Sequence, residues 1–163
     1  MLQRYLTYNL WANTRLIENI AAVPASSIDG LPLAPFGSIH EALRHIVGAE
    51  NIWLERMKGQ SPTDFLGFTE GKTLDELLGM LRVGSQRWVE YVTDRARDAE
   101  WMSPEATMTY TTTKGVVFVQ AIPDVVLHVV NHSTYHRGQI MSALRSVYDG
   151  RLLGLDMFVF ARG

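Results

Sequence analysis

Near its C-terminus the chain reads His128-Val-Val-Asn-His132-Ser-Thr-Tyr-His136-Arg-Gly-Gln-Ile140, three histidines at successive four-residue steps. In an α-helix, residues i and i+4 share one face about a turn apart, so neighbouring imidazoles in this run can converge on a single ion. Val125, Val129, Ile140, Ala143, Leu144 and Val147 recur at helical spacing through the same segment. They place His132 and His136 on or beside the stripe that faces a core. Burying an imidazole with nothing to bond costs on the order of 1–3 kcal/mol. Either hydrogen bonds or a metal must therefore satisfy these rings.

What surrounds the run is bounded by length and charge. A chain of 163 residues is the size of one ordinary domain and can bury a core without disulfides, so a single domain spanning 1–163 is expected. The formal charge of −2, with Lys and Arg scattered along the chain, offers no basic face for nucleic acid. There is no cysteine, which excludes a disulfide framework, a Cys-containing zinc site and a thiol nucleophile from the protein itself. Any metal must be held by His and oxygen ligands. The N-terminus lacks the apolar run of a signal peptide, and no stretch approaches the roughly 20 apolar residues of a spanning helix. A soluble cytoplasmic protein with no membrane partner is the expectation.

Periodicity and caps predict an all-α chain of four helices. The first runs from about Leu2 to Ala22, with Leu2, Leu6, Asn13, Leu16, Ile17 and Ile20 on one face, and ends before Pro24. The second starts at a capping box, Ser38-Ile-His-Glu41, and reaches about Lys58, where Gly59 and Pro62 stop it. The third starts at another box, Thr73-Leu-Asp-Glu76, and continues to about Arg97. The fourth begins near Pro123, a favoured first-turn residue, with Asp124 suited to the positive end of the helix dipole. Between the third and fourth, Met108 to Thr113 and Val116 to Val119 are β-branched and aromatic around Lys114-Gly115, which predicts a short hairpin. The apolar tail Leu152 to Phe160 must pack on the bundle or on another subunit.

Several motifs fail on spacing. Gly67-Phe-Thr-Glu-Gly71-Lys72-Thr73 has one residue too few between its glycines for a phosphate loop and no strand leading into it, and helix capping already explains Thr73. His40 and His45 are five residues apart, a rotation of about 140°, so they cannot share an ion from one straight helix as a zinc-protease pair does. A carboxylate-bridged di-iron bundle needs a His three residues after a Glu, but Glu41 and Glu50 are followed there by Arg44 and Trp53. Trp11, Trp53, Trp88 and Trp101 are simplest as core or interface filler, although Trp53, two turns beyond His45, could also wall a pocket. Arg137 either pairs with an acid such as Glu50 or faces an anionic substrate.

The histidine run admits two readings. In one, the rings bond polar neighbours such as Asn13, Glu50 and Gln139. In the other, they bind metal. His128 and His136 are separated by about 12 Å along a helix axis, whereas two nitrogens bound to one zinc at about 2.0–2.1 Å lie only a few ångströms apart. Only one adjacent pair can chelate, and a third ligand must come from another helix. His45 is the best candidate, because Ala42 and Ala49 share its face and leave room for an ion and a water.

The segments Tyr8-Asn-Leu-Trp-Ala-Asn13, Leu43-Arg-His45-Ile-Val-Gly-Ala-Glu50-Asn-Ile-Trp53 and Asn131-His132-Ser-Thr-Tyr-His136-Arg-Gly-Gln139 together resemble the DinB-like (YfiT-like) metalloenzymes, a bacterial family. The last segment is the most specific. The resemblance implies a four-helix bundle, often a homodimer, with a divalent metal, commonly nickel or zinc, held by His45, His132 and His136. His128 then becomes a supporting or pocket-lining residue, and the role of His40 is left open. The family has no single activity. Characterised relatives include transferases and isomerases that use low-molecular-weight thiols.

From these readings the expected function is a metal-dependent enzyme acting on a small molecule, a thiol-dependent S-transferase or a hydrolase, with Glu50 as a base beside the ion. The alternative is a non-catalytic, stress-associated protein in which the metal ties helices together. A structural zinc site is usually closed by four protein ligands and a catalytic one keeps a position open.

Overall fold

The computed structural model describes residues 1–101 and 103–163. The first helix, α1 (Leu2–Ala22), buries Leu6, Asn9, Asn13, Leu16 and Ile20, a stripe of alternating three- and four-residue steps. Val23 leaves the helix in an extended conformation, as the residue before a proline must. One short turn, α2 (Ala25–Ile28), leads to α3 (Ile39–Met57). Ser38 caps α3 by accepting from the Glu41 N–H at 3.2 Å. The expected return bond from Glu41 is not made, because that carboxylate turns to Arg44. At α4 (Leu74–Arg95) the box is complete: Thr73 Oγ1 accepts from the Glu76 N–H, and Glu76 Oε2 accepts from the Thr73 N–H at 2.8 Å.

The hairpin falls where expected, with a longer turn. Strands β1 (Thr107–Thr111) and β2 (Val117–Ala121) pair antiparallel, Thr107 opposite Ala121 and Thr111 opposite Val117. The last long helix, α5 (Ile122–Val147), carries Pro123 in its first turn, and α6 (Met157–Ala161) closes the chain. The tail packs on its own bundle: Tyr8 Oη donates to the Leu155 carbonyl at 3.0 Å. The Leu153 N–H also donates to Asn19 Oδ1 at 2.7 Å. No helix among the described residues is long and apolar enough to cross a membrane.

α1 and α3 each pack against α4 and α5, so the four long helices form a bundle with α1 and α3 on one diagonal. The core divides into two apolar clusters. One contains Leu16, Ile20, Leu43, Ile46, Leu77, Leu81, Ile140 and Leu144, and the other Leu6, Leu54, Trp88, Val92, Val125 and Val129. Chain order through the clusters sets direction: α1 and α5 run from the second to the first, and α3 and α4 from the first to the second. Because α3 and α4 are parallel, residues 58–73 must return along the bundle. This crossover presses on α3 at Gly48, where an added Cβ would lie 2.8 Å from Leu66 Cδ2 and 2.9 Å from the Phe65 carbonyl. Glycine is the residue that lets the two backbones meet.

Trp88 is fully buried in the second cluster, and its Nε1–H donates to the Glu50 carbonyl at 2.9 Å. Truncating a buried tryptophan typically costs about 3–5 kcal/mol. Trp88→Ala is expected to lower unfolding free energy by about that amount in urea denaturation, and a loss below about 1 kcal/mol would contradict this packing.

Candidate metal centre

Three imidazoles meet between α3 and α5. His45 projects from α3, and His132 and His136 from successive turns of α5. One ring nitrogen from each lies within 4.8 Å of the other two. His45 Nε2 and His132 Nε2 are 2.9 Å apart. Two nitrogens bound tetrahedrally to one zinc at about 2.0–2.1 Å would be separated by roughly 3.3 Å, so the ring placement fits a shared ion. His136 donates from Nδ1 to Gln139 Oε1 at 2.7 Å, which leaves its Nε2 with a lone pair. Such a partner on the far nitrogen is how ligating histidines are oriented.

Hydrogen bonding, which at 2.9 Å can also link His45 Nε2 to His132 Nε2, leaves one ring nitrogen of the triad unsatisfied. His136 has Gln139, as one sequence reading expected, but His132 Nδ1 is buried without a partner. Neither Asn13 nor Glu50 bonds a histidine among the described residues. Aromatic rings lie around the triad. Phe36, from the loop before α3, lies 5.0 Å from both His45 and His136 between ring centroids. Phe65 of the crossover lies 5.4 Å from His45, and Tyr135 lies 5.0 Å from His136.

This environment favours neutral, ligand-ready imidazoles. Burial, followed by the neighbouring His136, His45 and His128, pushes His132 down from 6.5 to about 3. Burial and then His136 lower His45, and burial lowers His128. Metal binding at neutral pH therefore displaces no proton from His132 or His45.

The other histidines lie outside the triad. His128 sits one turn before His132, its ring 5.8 Å from that of His132 and 5.3 Å from Trp53. His40 Nε2 donates to the Lys72 carbonyl at 2.8 Å, tying the start of α3 to the residue before the Thr73 cap. Trp53 does wall a cavity, of about 320 Å³, together with Tyr110 and His128. A larger cavity, about 550 Å³ between α3 and α4, is lined by no histidine, so size is no guide to the chemistry.

Glu50 occupies a different place from the ring nitrogens. Its Oε1 accepts from Asn9 at 2.7 Å, Asn13 at 2.8 Å and Ser133 at 2.9 Å, and its Oε2 from Ser85 at 2.8 Å. These donors come from α1, α5 and α4. Arg137 is also buried, but it does not pair with Glu50 directly. Its Nη1 donates to Asn9 Oδ1 at 2.6 Å and Asn13 Oδ1 at 2.7 Å, so each amide bridges the guanidinium to the carboxylate. Sequence reasoning missed this bridge, although Asn13 in an apolar stripe already signalled a buried amide in need of partners.

Residues 1–147 match the sequence model of the DinB family. The chain is 26% identical over 148 residues to Protein DinB of Bacillus subtilis (strain 168), an alignment covering 85% of this chain and 81% of that protein.

The depressed histidines make metal-free stability depend on pH. In the unfolded chain these rings titrate near 6.5, whereas folded His132 does so near 3, so the unfolded state binds more protons between those values. Their contribution is fully present above about pH 6.5 and declines as pH falls towards 3. The urea midpoint of metal-free protein is expected to drop between pH 7.5 and 5. His132→Gln should flatten that drop, and an unchanged slope would contradict the assignment.

Proposed function

The chain belongs to the DinB family, and on that premise we propose that it is a metal-dependent enzyme binding one divalent ion, nickel or zinc, through His45, His132 and His136. The observation that carries this reading is the convergence of one ring nitrogen from each on a common point, within 4.8 Å of one another. Among the described residues the group comprises three histidines and no carboxylate. Three neutral ligands suit a catalytic ion with an open position, whereas a purely structural ion is usually closed by four. When bound, such an ion acts as a Lewis acid that lowers the pKa of a water or thiol at that position.

The protein's own residues have separate tasks in this reading. Phe36 and Phe65 limit water around the triad, which strengthens electrostatic effects inside it. Gln139 orients His136. Glu50 holds the helices, and reaches the site through Ser133, the neighbour of His132. Because the chain has no cysteine, a thiol-dependent S-transfer needs a low-molecular-weight thiol from solution. Hydrolysis of a small-molecule substrate is the other chemistry the same centre supports. We assign the protein to the cytoplasm and to a homodimer, the latter supported by exposed Val83 and Phe158.

Metal content after metal-free purification and stoichiometric reloading tests the centre. The parent and His128→Ala should retain close to one ion per chain, while His132→Ala combined with His136→Ala should lose it and the thermal stabilisation it confers. Near-stoichiometric metal in that double variant would overturn the ligand set. The thiol reading is tested on the cobalt form, where a sulfur ligand produces charge-transfer absorption. At least one of glutathione, cysteine or a glycosyl-thiol should give the band, and His132→Ala should abolish it. If none perturbs the spectrum, hydrolysis replaces S-transfer. A monomeric mass in light scattering at micromolar concentration would overturn the dimer.

A further inference from the structure

The hairpin exposes an apolar run. Val116, Val117, Phe118 and Val119 follow one another in the chain and each is exposed, Val117 at 62% and Val119 at 64%. The other exposed large apolar residues occur singly or as the one pair Phe158 and Val159, and single ones are ordinary on a protein surface. The two strands differ in what lies beside them. The outer edge of β1 faces the crossover, where the Thr111 N–H donates to Ser61 Oγ at 3.0 Å. The outer edge of β2 has no neighbouring strand.

Register decides which backbone groups that edge presents. The Thr112 N–H donates to the Val116 carbonyl and the Ile122 N–H to the Ala106 carbonyl, both at 2.8 Å. Hydrogen-bonded and non-hydrogen-bonded pairs alternate along an antiparallel ladder. In this register the even-numbered residues therefore bond across the hairpin, and Val117 and Val119 turn their N–H and C=O groups outward. No loop backbone group among the described residues bonds them. Natural edges of this kind are blunted by a charge, a proline or a bulge. The segment Val117–Ala121 has no charge and no proline, and its pairing with β1 is unbroken by a bulge.

An open edge accepts another strand, and β2 is complementary to itself. Two copies of β2 placed antiparallel about a two-fold axis at Phe118 set Val117 opposite the partner's Val119, and Val119 opposite the partner's Val117. Both are hydrogen-bonded pairs that use only the outward groups. At the axis Phe118 meets the partner's Phe118 in a non-hydrogen-bonded pair, where cross-strand side chains come closest. Tyr110 already stacks beside Phe118, the ring centroids 6.0 Å apart. Charge favours the same orientation. Lys114 is the one charged residue between Thr107 and Ala121. Antiparallel pairing carries it to the start of the partner's α5, two residues from the partner's Asp124. Neither Lys114 nor Asp124 has an ion pair of its own among the described residues, and the two copies of Lys114 lie at opposite ends of the joint sheet. We propose that the outer edge of β2 is the docking surface for a second copy of this chain, joined β2 to β2 in a four-stranded antiparallel sheet. The inference rests on the homodimer assigned above and gives it a surface.

Val119→Pro separates this edge from the hairpin itself, because the Val119 N–H takes no part in the β1–β2 ladder and proline is tolerated at such edge positions. Sedimentation velocity over a micromolar concentration series is expected to show the dimer dissociation constant rising at least about tenfold in Val119→Pro, the equivalent of one lost hydrogen bond or more. Val83→Lys, on α4, should leave it unchanged. Lys114→Glu should weaken the dimer, and Lys114→Glu combined with Asp124→Lys should restore it. In the unaltered protein the Val117 and Val119 amides should exchange with deuterium more slowly as concentration rises, a readout that stands even if the proline variant fails to fold. A dimer of unchanged affinity in folded Val119→Pro, or exchange at both amides that does not slow on dimerisation, overturns this surface and spares the homodimer. Disruption by Val83→Lys alone moves the contact to α4 with the same consequence. A monomer at every concentration overturns the homodimer and this surface together.

Discussion

The bundle is organised around one buried carboxylate. Glu50 lies on α3 at the bundle axis and is reached by side chains from the three other long helices, Asn9 and Asn13 of α1, Ser85 of α4 and Ser133 of α5. Removing a charge from water costs several kcal/mol, and the cost is offset only when its lone pairs are fully engaged. Here four donors engage them, and the compensating cation, Arg137, is coupled through two amides. Removing one member of such a network leaves another unpartnered in a low-dielectric interior, which is why its parts hold the helices in one register.

The polar layer also explains why the core is split. On α1 Asn13 separates Ala12 from Leu16, on α3 Glu50 separates Val47 from Leu54, on α4 Ser85 separates Leu81 from Trp88, and on α5 Ser133 and Arg137 separate Val130 from Ile140. Apolar packing alone would tolerate a helix sliding by a turn. A layer of hydrogen bonds from all four long helices does not. His132 and His136 flank Ser133 in this layer, so the interactions that set the depth of α5 also set where their rings stand opposite His45.

Connectivity builds the rest of the site. Parallel α3 and α4 need a crossover, and its close passage over Gly48 puts Phe65 against His45. Antiparallel α4 and α5 need only a connection at one end of the bundle, and the hairpin placed there lays Tyr110 against Trp53 and Arg56. Two segments outside the long helices thus supply aromatic walls beside His45 and His128.

Much of this was legible in the chain. Local rules determined the four long helices, because caps such as Thr73 with Glu76, the proline at the start of α5 and the apolar stripes act within a few residues of themselves. The hairpin was visible in its β-branched runs, and the i, i+4 spacing placed His132 and His136 on one face of one helix. Spacing within a helix says nothing about which helix stands opposite, so spacing alone left the partner of His45 open between His128 and His132; the family resemblance pointed to His132, and the packing of α3 on α5 brings those two rings together. Tertiary packing likewise decides Arg137, which reaches Glu50 through Asn9 and Asn13, and Arg56, whose guanidinium meets the rings of Trp53 and Tyr110, residues more than fifty positions apart. The sequence by itself determined the elements and the supply of imidazoles and buried polar groups. Only the tertiary structure decided which of them meet, because contacts between distant segments depend on the direction and depth of whole helices, which the shared polar layer sets collectively.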